Sequence, residues 1–273
     1  MRQFTLNDEQ DIINKYVIRH FTIENLRKEY KIAHKRIREI LIKNNIKSRT
    51  NIRDFLNEDY FENINTESKA YFLGYLLADG CISDIYKTKP GVNWRKRLSL
   101  DLQIRDIHIL EKLKNELNSS NKICLNKKRN SCKIAFTSSK LCNDLINLGI
   151  TPRKSLTANF DIRKIPNHLI NHFIRGLFDG DGCVYFQIKN NKIKNKRFDL
   201  CGSYEICNLF KQILNSMAID DIDKKIIQIG KIYRIRYNRY QSIKDFYNYI
   251  YSDATLFLNR KRNKFEEILK ASA

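Results

Sequence analysis

Two eleven-residue windows, 102 positions apart, constrain what this chain can fold into more than any other feature. Tyr71-Phe72-Leu73-Gly74-Tyr75-Leu76-Leu77-Ala78-Asp79-Gly80-Cys81 stands against Phe173-Ile174-Arg175-Gly176-Leu177-Phe178-Asp179-Gly180-Asp181-Gly182-Cys183 (181 − 79 = 102). The chain has nine glycines and five of them lie in these windows, so chance placement is a poor explanation. Gly74 with Ala78, and Gly176 with Gly180, are four apart and share one face of a helix. Small residues on such a face let two backbones approach closely. The expectation is two helices packed about a pseudo-twofold axis. Asp79 and Asp181 then lie at the same end, each followed by a glycine that stops its helix.

The element pattern downstream of each window also repeats. In the first half, Cys81 to Tyr86 reads as a strand and Leu98 to Arg105 alternates strictly, the mark of a half-buried strand. Ile107, Leu110, Leu113 and Leu117 have helical spacing. Lys122 to Asn126 and Cys132 to Thr137 form a hairpin-like pair, and Leu141, Leu145 and Leu148 mark a helix ended by Gly149 and Pro152. In the second half the strands are Val184 to Lys189, Arg197 to Cys201, Lys225 to Ile229 and Ile232 to Asn238. Helix stripes there run from Ile206 to Met217 and from Ile243 to Ile250, and a last helix holds Phe265, Ile268 and Leu269. The fold class is α+β, with tandem pseudo-twofold αββαββα repeats over 54–165 and 166–273 that build two antiparallel sheets.

Residues 1–53 differ in kind. Three short amphipathic helices, the last around Ala33 to Leu41, form a small all-α module of helix-turn-helix spacing, with a structural cap as the competing role. Arg49, Arg53 and their polar neighbours read as a linker to the repeats.

Charge gives the first functional constraint. Lys and Arg number 51 against 30 Asp and Glu, a net +21, and the excess divides as +4, +9 and +8 over residues 1–60, 61–165 and 166–273. A folded chain this basic throughout is matched to polyphosphate, whose condensed counterions are released on binding. No apolar run approaches the ~20 residues of a membrane span. No signal peptide is visible, so the expected place is cytoplasm or an organellar matrix, not the exterior. Seven cysteines with no C-x-x-C pair fit reduced thiols rather than a disulfide framework or a cysteine zinc site.

Within that basic background, two carboxylates converging at a dyad suit a hard cation such as Mg²⁺, placed between protein and phosphates. On the first sheet, Arg97, Ser99, Asp101, Gln103 and Arg105 share the face opposite the leucines. On the second, Arg234, Arg236 and Asn238 alternate with Ile235 and Tyr237. Side chains of these types hydrogen-bond base edges in a major groove. An ordinary solvated sheet face is the plainer alternative.

The two windows and the element order resemble the LAGLIDADG homing endonucleases of the single-chain, two-motif type, over roughly residues 60–270. Phe72 to Gly80 and Ile174 to Gly182 align with the nine motif positions, and Leu77 departs from the motif's earlier aspartate. The resemblance implies a monomer that lays two sheets on a long, asymmetric double-stranded DNA site. It cuts both strands with Mg²⁺, for which Mn²⁺ substitutes, and leaves short 3′ overhangs. By position, Asp79 and Asp181 are the implied metal ligands, assisted by the carbonyls of Ala78 and Gly180. Lys154 and Lys261 are the implied active-centre lysines, and Asp106 and Ser203 the water-orienting residues. The N-terminal helices are similar to resolvase-type helix-turn-helix modules, implying DNA contacts from His34, Lys35, Arg36 and Arg38. The termini lack the Cys/Ser and His-Asn of an intein, so a free-standing enzyme is expected. The alternative is a non-catalytic DNA-binding regulator or an intron RNA maturase on the same scaffold.

Overall fold

The computed structural model describes residues 5–18, 21–46, 56–85, 95–190, 192–219 and 224–271. The chain divides into two compact units, Met1–Phe55 and Leu56–Ala273. The linker residues Arg49 and Arg53 lie outside the described residues.

The first unit contains α1 (Leu6–Val17), α2 (Ile23–Tyr30) and α3 (His34–Lys43). Thr5 starts α1 with a capping box, its hydroxyl accepting from the Asp8 amide and the Asp8 carboxylate accepting from the Thr5 amide at 2.9 Å. Thr22 caps α2 in the same sense through the Asn25 amide. Lys31, in the left-handed region at φ 52°, ends α2 and turns the chain into α3. Ile12, Tyr16, Ile23, Leu26, Ile37, Ile40 and Leu41 meet in a core of their own, which gives each helix one buried stripe.

The second unit is two αββαββα repeats. The first is α4 (Glu67–Asp79), β1 (Cys81–Ile85), β2 (Arg95–Gln103), α5 (Ile107–Glu116), β3 (Cys124–Asn126), β4 (Ser131–Thr137) and α6 (Ser139–Leu148). The second is α7 (Ile170–Asp181), β5 (Gly182–Lys189), β6 (Lys192–Gly202), α8 (Tyr204–Ser216), β7 (Ile227–Ile229), β8 (Ile232–Tyr237) and α9 (Tyr240–Tyr251), followed by α10 (Asn259–Lys270). The sheets have the same order, β1-β2-β4-β3 and β5-β6-β8-β7, and every pairing is antiparallel. Leu98, Leu100 and Leu102 point into the core, as do Phe198, Leu200, Ile235 and Tyr237. Among the described residues no helix is long and apolar enough to cross a membrane.

Two of the boundaries that depart from expectation bear on candidate contact residues. The alternating strand stops at Gln103, which pairs with the first residue of β4, and Ile104–Asp106 forms a 3-10 turn, so Arg105 is exposed but off the sheet. Asn238 is exposed one residue past the end of β8. In both cases the periodicity outlasts the ladder, because alternation marks one-sided burial rather than hydrogen-bonded pairing.

Candidate functional site

The centre of the second unit is the contact of α4 with α7, which fixes everything at their ends. From Ala70 to Leu77 every residue of α4 is buried, and from His172 to Asp179 every residue of α7. The glycines explain how the helices come so close. A Cβ on Gly74 would stand 2.0 Å from the Phe173 carbonyl oxygen, and one on Gly176 would stand 1.9 Å from that of Tyr71. Gly180 faces the Ala78 methyl, where a Cβ would come within 2.2 Å. These contacts exchange under the 102-residue offset, the signature of a pseudo-dyad. Gly74→Ala and Gly176→Ala each push on backbone and should cost about 3 kcal/mol or more in a urea unfolding measurement. Gly202→Ala, whose nearest neighbour would be Ile206 at an ordinary 3.4 Å, is the matched control and should be near neutral. A small loss for Gly176→Ala would contradict backbone-to-backbone packing.

Gly80 and Gly182 end their helices for a different reason from the one expected. Their φ angles are −69° and −83°, not left-handed. Space selects them: a Cβ would meet the Leu76 oxygen at 2.6 Å or the Phe178 oxygen at 2.4 Å.

Asp79 and Asp181 are the last residues of α4 and α7. Solvent reaches both, yet the protein packed around them disfavours their charge. Burial, then the Asp79 charge, pushes the Asp181 carboxyl up to about 6. Burial also raises Asp79, against the pull of Lys261, Lys154 and Arg260. Each carboxylate thus feels both lysines, which sit near the ends of the two halves.

Those lysines are buried. Lys154, 5% exposed, donates to the Ala78 carbonyl at 2.9 Å. Lys261, 3% exposed, donates to the carbonyls of Phe178 (2.6 Å), Asp179 (2.7 Å) and Gly180 (3.5 Å), and burial lowers its ammonium to about 8. Each ammonium therefore completes the negative end of a motif helix. It also occupies the carbonyls of Ala78 and Gly180, each of which keeps a second lone pair.

Asp106 and Ser203 are each held by protein partners. Asp106, 4% exposed, accepts from Arg260 Nε through both oxygens at 3.1 Å. Ser203 caps α8 by accepting from the Ile206 amide, and its hydroxyl donates to the Ala158 carbonyl. Both are engaged by protein partners across the two halves, a use that a one-dimensional pattern does not reveal. Arg97, Asp101 and Gln103 are exposed and Ser99 half-buried on the open face of the first sheet, and Arg234 and Arg236 are half-buried on the second. In the first unit His34, Lys35, Arg36 and Arg38 are all exposed on α3. His34 contacts Glu24 at 2.7 Å, and Arg36 lies 3.7 Å from Glu9. Lys35 and Arg38 have no acidic partner among the described residues.

Three functional supports went unread in the sequence: Arg175, Arg260 and Asp179. Asp179 is fully buried, and its Oδ2 accepts from the Tyr71 hydroxyl at 2.9 Å and the Leu258 amide at 2.8 Å. It thereby ties α7 to α4 and to the approach to α10. Its place in the repeat was the available signal, because its counterpart is Leu77.

Residues 72–148 match the model of the family described as LAGLIDADG endonuclease. The first repeat is therefore similar to the LAGLIDADG endonuclease family over those residues. The LAGLIDADG meganuclease I-AabMI, solved bound to uncleaved DNA, is similar with a TM-score of 0.53 at 12% identity, over 74% of this chain and 89% of that one. The LAGLIDADG homing endonuclease I-GzeII, in complex with its DNA target, gives 0.52 at 14% identity over 76% and 89%. At these identities the likeness is one of fold. Among curated proteins, the probable translation initiation factor IF-2 of Methanocaldococcus jannaschii is 26% identical over 185 residues. That alignment covers 63% of this chain but only 13% of the relative's length.

Proposed function

We propose that this protein is a LAGLIDADG-type, site-specific, metal-dependent endonuclease that cuts both strands of duplex DNA as a monomer and leaves short 3′ overhangs. The observation that carries this function is the pair of carboxylates, Asp79 and Asp181, at the ends of two interlocked helices inside a strongly basic chain.

The donor set fits a hard divalent ion. Two carboxylates stand with the backbone carbonyls of Ala78 and Gly180, all oxygen. Among the described residues no group of three or more His, Cys, Asp or Glu side chains could hold a metal. Such a centre must complete its shell with phosphate and water, as Mg²⁺ prefers, and Mn²⁺ accepts the same ligands. A bound divalent ion supplies an activated water and stabilises the leaving oxygen of a phosphodiester. The chain's own contributions are positional. Gly74 and Gly176 bring the carboxylates to one place, Lys154 and Lys261 fix the helix ends beneath them, and the open sheet faces offer Arg97, Ser99, Asp101, Gln103, Arg234 and Arg236 to base edges. Arg105 and Asn238 flank those strands as further contacts.

The test is incubation with a randomised duplex library and Mg²⁺, followed by sequencing of the cut ends. Staggered breaks at one long site are expected. Stable binding without cleavage, with Mn²⁺ as well, would instead support a DNA-binding regulator.

The first unit supplies a second DNA contact through α3, with Lys35 and Arg38 ahead of His34 and Arg36, which acids already engage. Lys35→Ala with Arg38→Ala should weaken site binding and lower the salt dependence of log K by about 1 to 2. Cleavage of bound site should proceed unchanged. An unaltered affinity and salt slope would show that this helix does not touch DNA.

A further inference from the structure

The open face of the second sheet carries a cluster that the described residues of the first sheet do not. Register sets Tyr185 opposite Arg197 and Asp199 opposite Arg236, and all four side chains lie on the face away from Phe198, Leu200 and Ile235. Asp199 is 5% exposed, and its Oδ2 accepts from Arg236 Nε at 2.9 Å and lies 3.3 Å from Arg197 Nε. The Arg197 guanidinium lies over the Tyr185 ring, 4.1 Å from its centre. Tyr185, Arg197, Arg236 and Asn238 help to line a groove of about 580 Å³ on this face.

The first sheet is a built-in control. Cys81 pairs with Ser99 as Cys183 pairs with Asp199, so the equivalent positions are Ser83, Arg97, Ser99 and Ala135. Arg97 is exposed there, with neither carboxylate nor ring to hold it among the described residues.

Two arginines gathered only to grip phosphate would gain nothing from a buried acid between them, since its charge opposes the DNA. An acid that accepts from Nε, as Asp199 does from Arg236 while only lying near Arg197, has a different effect. It fixes the plane of the guanidinium and leaves both terminal amino groups without a hydrogen-bonding partner among the described residues. That fork matches guanine O6 and N7 in the major groove. The side-chain freedom that an arginine such as Arg97 must lose on docking is already lost here.

We infer that Arg236 and Arg197, held by Asp199 and Tyr185, read guanine in the stretch of duplex that the second sheet covers. This rests on the proposed action on DNA. Asp199 and Tyr185 are positioning residues, and the arginines touch the base. Specificity is therefore unequal between the halves, stringent for guanine under the second sheet and looser under Arg97.

The test uses the full chain and a randomised duplex pool, with bound duplexes recovered without divalent metal and sequenced. Enrichment of guanine by at least about 10-fold is expected at one or two positions on one side of the site. Arg236→Lys should abolish the preference at one of them, and Arg97→Lys should leave both intact. Asp199→Ala should blunt both while affinity for unselected duplex holds or rises, and Asp199→Asn should restore part of the preference. An enriched site with no fixed guanine, or a guanine that survives both Arg236→Lys and Arg197→Lys, overturns this inference alone. A pool that returns no enriched duplex overturns it together with the DNA function.

Discussion

Arg175→Ala should lower stability by about 3–5 kcal/mol, the range for breaking a buried ion pair from one side, and so lower Tm by roughly 10 °C or more. Arg175 is fully buried on α7 and satisfies four groups at once. It donates to Glu67 at 2.6 Å, to the carbonyls of Leu256 and Ile250 at 2.8 Å each, and contacts His172 Nδ1 at 2.9 Å. Glu67, at the start of α4, also accepts from the amides of Thr255 and Leu256 and from the Thr255 hydroxyl. Removing the guanidinium strands two carbonyls, takes from Glu67 its cation, and loosens the segment that leads to Lys261. Urea unfolding of Arg175→Ala against wild type measures it. A loss under 1 kcal/mol would mean that the network is peripheral. The same network makes the fold acid-sensitive. His172 must accept from Arg175 through an unprotonated Nδ1, and burial followed by the Arg175 charge holds it below its ordinary 6.5. The unfolded chain therefore takes up the proton first, and stability should fall as pH drops below about 6.5.

Much of this architecture was legible because it is written twice. The windows placed the helices, the glycines and both acids, since close backbone packing needs small residues at helical spacing, and that spacing is visible in one dimension. Alternation from Leu98 to Leu102 gave the strand and its buried side. The features that stayed hidden depend on contacts between distant segments. Arg175 occupies a motif position where a basic residue looks like a surface charge, and only the return of residues 250–256 shows it to be a buried hub. Asp106 and Ser203 were singled out by position, but their partners Arg260 and Ala158 come from the other half. Lys154 and Lys261 were singled out by position, while their attachment to helix-end carbonyls was not visible. The Asp199 clamp joins adjacent strands whose register no local pattern specifies.

The largest effect on activity is expected at the paired acids. Each carboxylate raises or answers to the other's surroundings: Asp79 is the second cause of the upward shift of Asp181, and Lys154 of the first half feels Asp181 ahead of Asp79. On the proposed reading the two acids act as one centre, so replacing either should disable both cuts rather than halve the rate. Asparagine keeps the size and polarity of the side chain and removes its charge, which leaves the helix packing and the sheets intact.

The most direct test is to follow a supercoiled plasmid bearing the selected site, with Mg²⁺, for wild type, Asp79→Asn and Asp181→Asn. Wild type should give linear product broken at that site. Each variant should lose linear product by about 10³-fold, on the scale of removing a major electrostatic contributor to catalysis, while still binding the same duplex. Linear product formed at the wild-type rate by either variant would contradict the claim that these two aspartates are the catalytic centre.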